Sequence, residues 1–169
     1  RGNSLMTWNG SKFGSVVFDG DVIIPAVYEK VKDGSSFNRD PWMSLTPAEY
    51  MSFRGGIQAA HGRVIVAGLG LGHLLIEVSK KKTVNEIILV EISEEIVDWL
   101  WPQIKRYMTD GKLTQVIIGD AHKEIPKLKA DVALIDIFLH YGNNNPEVVK
   151  IQKQSPHIEK VWGWGTANL

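Results

Sequence analysis

The sequence predicts an α/β fold: a three-layer αβα sandwich around a mostly parallel sheet, with a short β-hairpin extension at the amino end and the sheet truncated after its fifth strand. Three observations predict it. From residue 63 onward, short apolar β-branched runs alternate with helical patterns, as parallel strands joined by crossover helices do. The first run, Val64-Ile65-Val66, passes straight into Gly68-Leu69-Gly70-Leu71-Gly72. Glycines there lack the Cβ atoms that hold a ligand away from backbone, and they permit a sharp strand-to-helix turn. Later strand runs end on or beside an acid, at Glu91, Asp120 and Asp136.

Taken in order, residues 11–18 and 21–24 are β-prone and joined by Asp19-Gly20, which predicts a hairpin. Lys32 to Pro41 reads as loop. Thr46-Pro47-Ala48-Glu49 opens a helix, with Thr46 as N-cap, Pro47 at the first helical position and Glu49 completing a capping box. That helix is expected to reach Ala60 and stop near Gly62. Strand 63–67 and helix 72–82 follow, then strand 86–91 and helix 93–108 capped by Ser93. Strand 113–118 leads to a short helix at 121–128, and strand 132–136 to an asparagine-rich loop and a helix at 146–153. A last strand covers 160–164. Two parts are drawn, an extension over 1–45 and the sheet domain over 46–169.

A chain of 169 residues that is 44% hydrophobic suffices for one well-buried domain. Nineteen basic and nineteen acidic residues cancel, so nothing favours nucleic acid or an anionic membrane surface, and a small-molecule substrate is expected. The absence of cysteine excludes disulfides, thiolate nucleophiles and cysteine zinc sites, and no metal is expected. No run approaches the roughly 20 apolar residues that span a bilayer. Residues 1–15 are polar and glycine-rich, which predicts a cytoplasmic protein without a leader. The chain opens on Arg1 rather than methionine, as a fragment or processed form does.

The glycine spacing is G-x-G-x-G. Reading the dinucleotide pattern G-x-G-x-x-G from Gly68 puts His73 at the third glycine, and from Gly70 it puts Leu75 there. No lysine with Ser/Thr follows, so the turn is not a P-loop. Glu91, nineteen residues after Gly72, ends the strand Ile-Ile-Leu-Val-Glu and offers two acceptor oxygens to two neighbouring hydroxyls. These residues, with Val66 two positions before the first glycine, Gly119-Asp120-Ala121, the strand Asp131 to Asp136, and Val16-Val17-Phe18-Asp19-Gly20-Asp21-Val22 followed by Tyr28-Glu29, carry a resemblance. Over about residues 15–140 the chain resembles the class I S-adenosylmethionine-dependent methyltransferase superfamily, and within it looks closest to the spermidine synthase-like branch. The resemblance implies a Rossmann-like fold with S-adenosyl-L-methionine as cofactor. It implies that Gly68, Leu69, Gly70 and Gly72 border the ligand and that Glu91 accepts from the ribose hydroxyls. It further implies Ile92 against the adenine, Asp120 and the Ala121 amide on the adenine edge, and Asp136 under the reactive end.

The chain departs from that branch in two places. Asp136-Ile137-Phe138-Leu139 stands where the synthases have Asp-Ser-Ser-Asp, and Leu71 replaces an aspartate inside the turn. Two lost carboxylates argue against a polyamine, whereas methyl transfer chiefly requires a nucleophile held in line with an already activated methyl group. The expected function is therefore S-adenosylmethionine-dependent methyl transfer to an unidentified small molecule. The alternatives are a catalytically silent S-adenosylmethionine-binding or scaffold protein of the same fold, and an aminopropyltransferase. Asp136 and His140 are the catalytic candidates, His140 as general base with Tyr141 beside it. His73 and Glu77 read as ordinary helix residues, and Tyr28, Trp42 and Tyr50 as packing. Lys80-Lys81-Lys82 suits the negative end of a helix. Trp162 and Trp164 fall on one face of the last strand, an apolar edge that predicts a homo-oligomer formed through the carboxyl-terminal edge.

Overall fold

The computed structural model describes residues 4–8, 13–30, 36, 41–138 and 144–166. The chain divides into two compact units, 1–54 and 55–169.

In the first unit, β1 (Ser4–Trp8) pairs antiparallel with β2 (Phe13–Val17), and β3 (Ala26–Val27) with β4 (Met43–Ser44). The hairpin exists, but one strand earlier than the sequence suggests. Residues 21–24 form no strand and Asp19-Gly20 is only a bend. A two-residue Asp-Gly hairpin turn needs positive φ at its glycine, and Gly20 is not among the glycines that adopt it. Ile23, read as a strand residue, stands 94% exposed.

Helix α1 (Pro47–Ser52) starts as expected. Thr46 Oγ1 accepts the Glu49 N–H at 3.3 Å, and Glu49 Oε2 accepts the Thr46 N–H at 2.7 Å. The single helix expected over 46–60 is interrupted at Phe53, and α2 (Arg54–Ala59) continues beyond it. Two glycines follow the break. Trp162 packs on Gly55-Gly56, and a Cβ on Gly56 would stand 2.6 Å from the Trp162 ring. Glycine is demanded there by packing, although each one weakens a helix interior by about 1 kcal/mol.

The second unit alternates as predicted: β5 (Gly62–Ala67), α3 (His73–Lys80), β6 (Val84–Glu91), α4 (Glu94–Ile104), β7 (Leu113–Ile118), α5 (Ala121–Glu124), β8 (Val132–Ile135), α6 (Asn145–Gln154) and β9 (Lys160–Gly163). Helices α4 and α5 end in single 3-10 turns, 105–107 and 125–127, in place of the longer helical tails expected. Pro126 sits in the second of these and cannot donate the bond that would continue an α-helix.

All five strands are parallel, in the order β7-β6-β5-β8-β9. Ile65, Ala67, Ile88, Val90, Ala133 and Ile135 form one buried face with Ala121, Ile125, Val148 and Ile151 from the α5 and α6 side. Their strand neighbours Val64, Val66, Ile87, Leu89, Val132 and Leu134 point the other way and are equally buried. Burial on both faces is what makes these strands continuous apolar runs. Strand order reverses between β5 and β8, so a switch point lies at their carboxyl ends. Trp164 is buried and its N–H donates to the Ile135 carbonyl at 2.8 Å. Trp162 packs on Gly55-Gly56 and remains partly exposed, so the aromatic face expected at this edge is covered in part by its own chain. Among the described residues no helix is long and apolar enough to cross a membrane.

Candidate functional site

At the switch point the ends of β5, β6 and β8 are locked together. The Gly68 N–H donates to Val90 O at 2.9 Å, and the Asp136 N–H donates to Ala67 O at 2.8 Å. Gly68 adopts φ +92°, and a Cβ on it would collide with the Asp136 backbone oxygen. Gly72 closes the turn by donating to Leu69 O at 2.9 Å, and a Cβ there would lie 2.7 Å from Ile104. Gly70 differs. It also has positive φ, +51°, yet a Cβ would meet nothing within 4 Å. Two glycines of the turn thus answer to packing, and the middle one faces open space.

Glu91 is 8% exposed, and each of its oxygens is engaged by backbone. Oε2 accepts the Leu69 N–H at 2.7 Å and Oε1 accepts the Ser93 N–H at 3.0 Å. A carboxylate has about four lone-pair directions, so these two bonds leave acceptor capacity for a diol. The same bond to Leu69 holds the glycine turn against the end of β6. Around this point, large apolar side chains stand in solvent: Ile92 after β6 at 70%, Ile118 ending β7 at 43%, and Ile137 after β8 at 36%.

Asp120 caps α5, its Oδ1 accepting the His122 N–H at 3.0 Å while Lys123 Nζ lies 3.9 Å from Oδ2. Ala121 behind it is buried. His122 Nε2 lies 3.3 Å from Glu147 Oε2, which ties the first turns of α5 and α6 together. Asp136 is half-buried, with its backbone fixed as described. His73 begins α3 and is half-buried; burial pushes its pKa below the ordinary imidazole value, partly offset by the Glu77 carboxylate. His140 and Tyr141 lie outside the described residues. Among the described residues no group of three or more acidic or histidine side chains is placed to hold a metal ion.

Gly68, Leu69, Gly70, Gly72, Glu91, Ile92, Asp120, Ala121 and Asp136 therefore all fall at the carboxyl ends of four strands. Sequence reasoning missed Ile118 and Ile137, whose signal was an apolar residue at a strand end beside an acid-bearing loop. It also missed the Glu91–Leu69 bond, which no spacing announces. A depression of about 510 Å³ lies at the opposite, amino edge of the sheet, lined by residues that include Arg63, Glu86, Lys129, Asp131 and His157. Sheets of this kind bind ligands beyond their carboxyl ends, and this depression lies at the other end.

No protein-family model matches the sequence, and no curated protein matches it. Solved structures do share the fold. Methyltransferase PaMTH1 of Podospora anserina, determined with S-adenosylhomocysteine bound, aligns at a TM-score of 0.50 and 15% identity, over 68% of this chain and 49% of its own. Precorrin-6y C5,15-methyltransferase of Geobacter metallireducens aligns at 0.50 and 12%, over 79% and 66%. A spermidine synthase from Thermotoga maritima aligns at 0.48 and 18%, over 70% and 43%. The chain thus spans between 43% and 66% of the length of these structures. Its structural neighbours are S-adenosylmethionine-dependent methyltransferases, with some spermidine synthases among them, and at these identities the likeness is one of fold.

Proposed function

We propose that this chain binds S-adenosylmethionine and transfers its methyl group to a small molecule. The observation that carries the reading is the Glu91 carboxylate, buried at the switch point and holding the glycine turn through Leu69 N–H with acceptor capacity to spare. The residues fit such a ligand: Gly70 leaves the space a Cβ would fill, and Ile92 offers an exposed apolar face. When bound, the cofactor supplies a methyl group already activated by a sulfonium. In this reading Glu91 orients the ribose, Asp120 and the Ala121 amide meet the adenine edge, and the turn from Gly68 to Gly72 borders the ligand backbone. Asp136 closes the reactive end, and His140 takes the proton that the acceptor releases.

The motifs run closest to the spermidine synthase-like branch. Leu71 and Leu139, standing where its acids would be, favour methyl transfer over aminopropyl transfer to an amine. The same losses give a second reading, a silent S-adenosylmethionine-binding or scaffold protein. Calorimetric titration with S-adenosylmethionine, S-adenosylhomocysteine, decarboxylated S-adenosylmethionine and NAD separates these readings. Binding of the first two is expected. If no sulfonium nucleoside or its product bound, the proposal would fall; binding without turnover over a broad acceptor panel would favour the silent reading, and binding confined to the decarboxylated form would favour aminopropyl transfer.

A further inference from the structure

Strand β7 is the outermost strand on the side of the sheet away from β9, and its sequence, Leu-Thr-Gln-Val-Ile-Ile, carries no charge and no proline. Natural sheets guard such an edge with lysine, proline, a bulge or a covering element, because its unpaired N–H and C=O groups template further pairing. Here a register shift against β6 disturbs the strand near Thr114, and from Gln115 to Ile118 the pairing is regular. Thr114, Gln115 and Ile118 are exposed, and Val116 and Ile117 half-buried, so among the described residues nothing covers this stretch. The Gly119 N–H donates to Glu91 O. Alternate residues therefore turn toward β6, and Val116 and Ile118 present their backbone groups outward. The other edge contrasts: β9 opens on Lys160, and its Trp162 is packed by Gly55-Gly56.

We infer that β7 is a self-association edge, where two copies of the chain pair antiparallel across a two-fold axis near Gln115-Val116 and join their five-stranded sheets into one. A two-fold contact uses the same surface twice and must be self-complementary. An uncharged strand meets that demand, since no residue faces a like charge on the partner copy. The formal net charge of zero removes overall repulsion between copies as well. This pairing places the partner surface at the edge opposite the carboxyl-terminal one, and it is independent of any nucleotide.

Sedimentation equilibrium of the full chain, run into the high-micromolar range, tests it. A dimer is expected. Gln115→Glu and Gln115→Lys, both at an exposed position, should each raise its dissociation constant about fivefold by placing like charges across the axis. Mixing the two variants should restore association, while Lys160→Glu on β9 should leave it unchanged, with thermal unfolding of each variant showing an intact fold. A monomer at every concentration, a dimer indifferent to both Gln115 changes, or one weakened by Lys160→Glu would each overturn the inference.

Discussion

The two ends of the same parallel sheet are built in opposite ways. At the amino edge, charged side chains reach solvent and are bonded to their own chain. Arg63 Nε meets Glu86 Oε2 at 2.5 Å, Thr114 Oγ1 donates to Glu86 Oε1 at 2.9 Å, and Asp131 Oδ2 accepts the Arg63 N–H at 2.7 Å. At the carboxyl edge the buried acid Glu91 keeps spare acceptor capacity, and isoleucines stand in water. One end thus exposes apolar surface and buries a carboxylate while the other closes its polar groups on its own chain, and under the proposed function the first is the ligand edge.

Substitutions within the glycine turn test that division most strongly. Gly68→Ala should destabilise the fold by about 3 kcal/mol or more, since its Cβ overlaps the rigid Asp136 backbone at positive φ. Gly70→Ala meets no atom and should cost only about 1 kcal/mol, the strain of a left-handed alanine. Denaturant unfolding measures both. If Gly70 faces the ligand, Gly70→Ala should still lose S-adenosylhomocysteine affinity out of proportion to its small stability cost, and retained affinity would remove that glycine from the site.

Glu91→Ala comes next. It should lower S-adenosylhomocysteine affinity by about 1.5–3 kcal/mol, the worth of hydrogen bonds to a charged group. The structure adds a second consequence. The apo protein should also lose stability, and the Leu69 amide should exchange faster with solvent, because that N–H loses its acceptor. An exchange rate unchanged by the substitution would mean that the turn is held in some other way. The amino-edge counterpart is Asp131→Ala, which should cost about 1 kcal/mol of stability through the Arg63 N–H and leave ligand affinity untouched. A change in affinity would show that the two edges are coupled.

Much of this division was legible in the sequence. Strands β5 to β9 fall within about two residues of their expected positions, because burial on both faces writes itself as unbroken apolar runs, and helix starts at Thr46 and Ser93 carry their own caps. What was illegible depends on distant contacts. Gly55-Gly56 gave no sign that Trp162 would pack on them and accompany a break in the helix. Asp19-Gly20 gave a strong local signal for a turn, yet the hairpin forms between β1 and β2 and Asp19-Gly20 is a bend. At the site, spacing found the acids at strand ends. It did not reveal that Glu91 fastens the turn, that Asp120 caps α5, or that His122 reaches Glu147.

The smallest expected effect is a difference of sign between two histidines, one near each edge. His61, before β5, has its pKa raised, first by donation from Nδ1 to the Ala59 carbonyl at 2.9 Å and further by Glu159. A raised folded pKa gives stability that is complete below the unfolded value and is lost as pH rises through the folded one. His73, at the carboxyl edge, has its pKa lowered by burial, so its contribution is complete above the unfolded value, near 6.5, and is lost as pH falls through it toward the folded pKa. Proton-detected titration of the two imidazoles should place His61 above His73. His73→Gln should flatten the acid side of the stability profile and His61→Gln the neutral side. If S-adenosylhomocysteine packs beside His73, its binding should bury the ring further and lower that pKa again while leaving His61 in place. A His73 titration unmoved by saturating ligand would separate this histidine from the site while leaving Glu91 and Gly70 to be judged by their own variants.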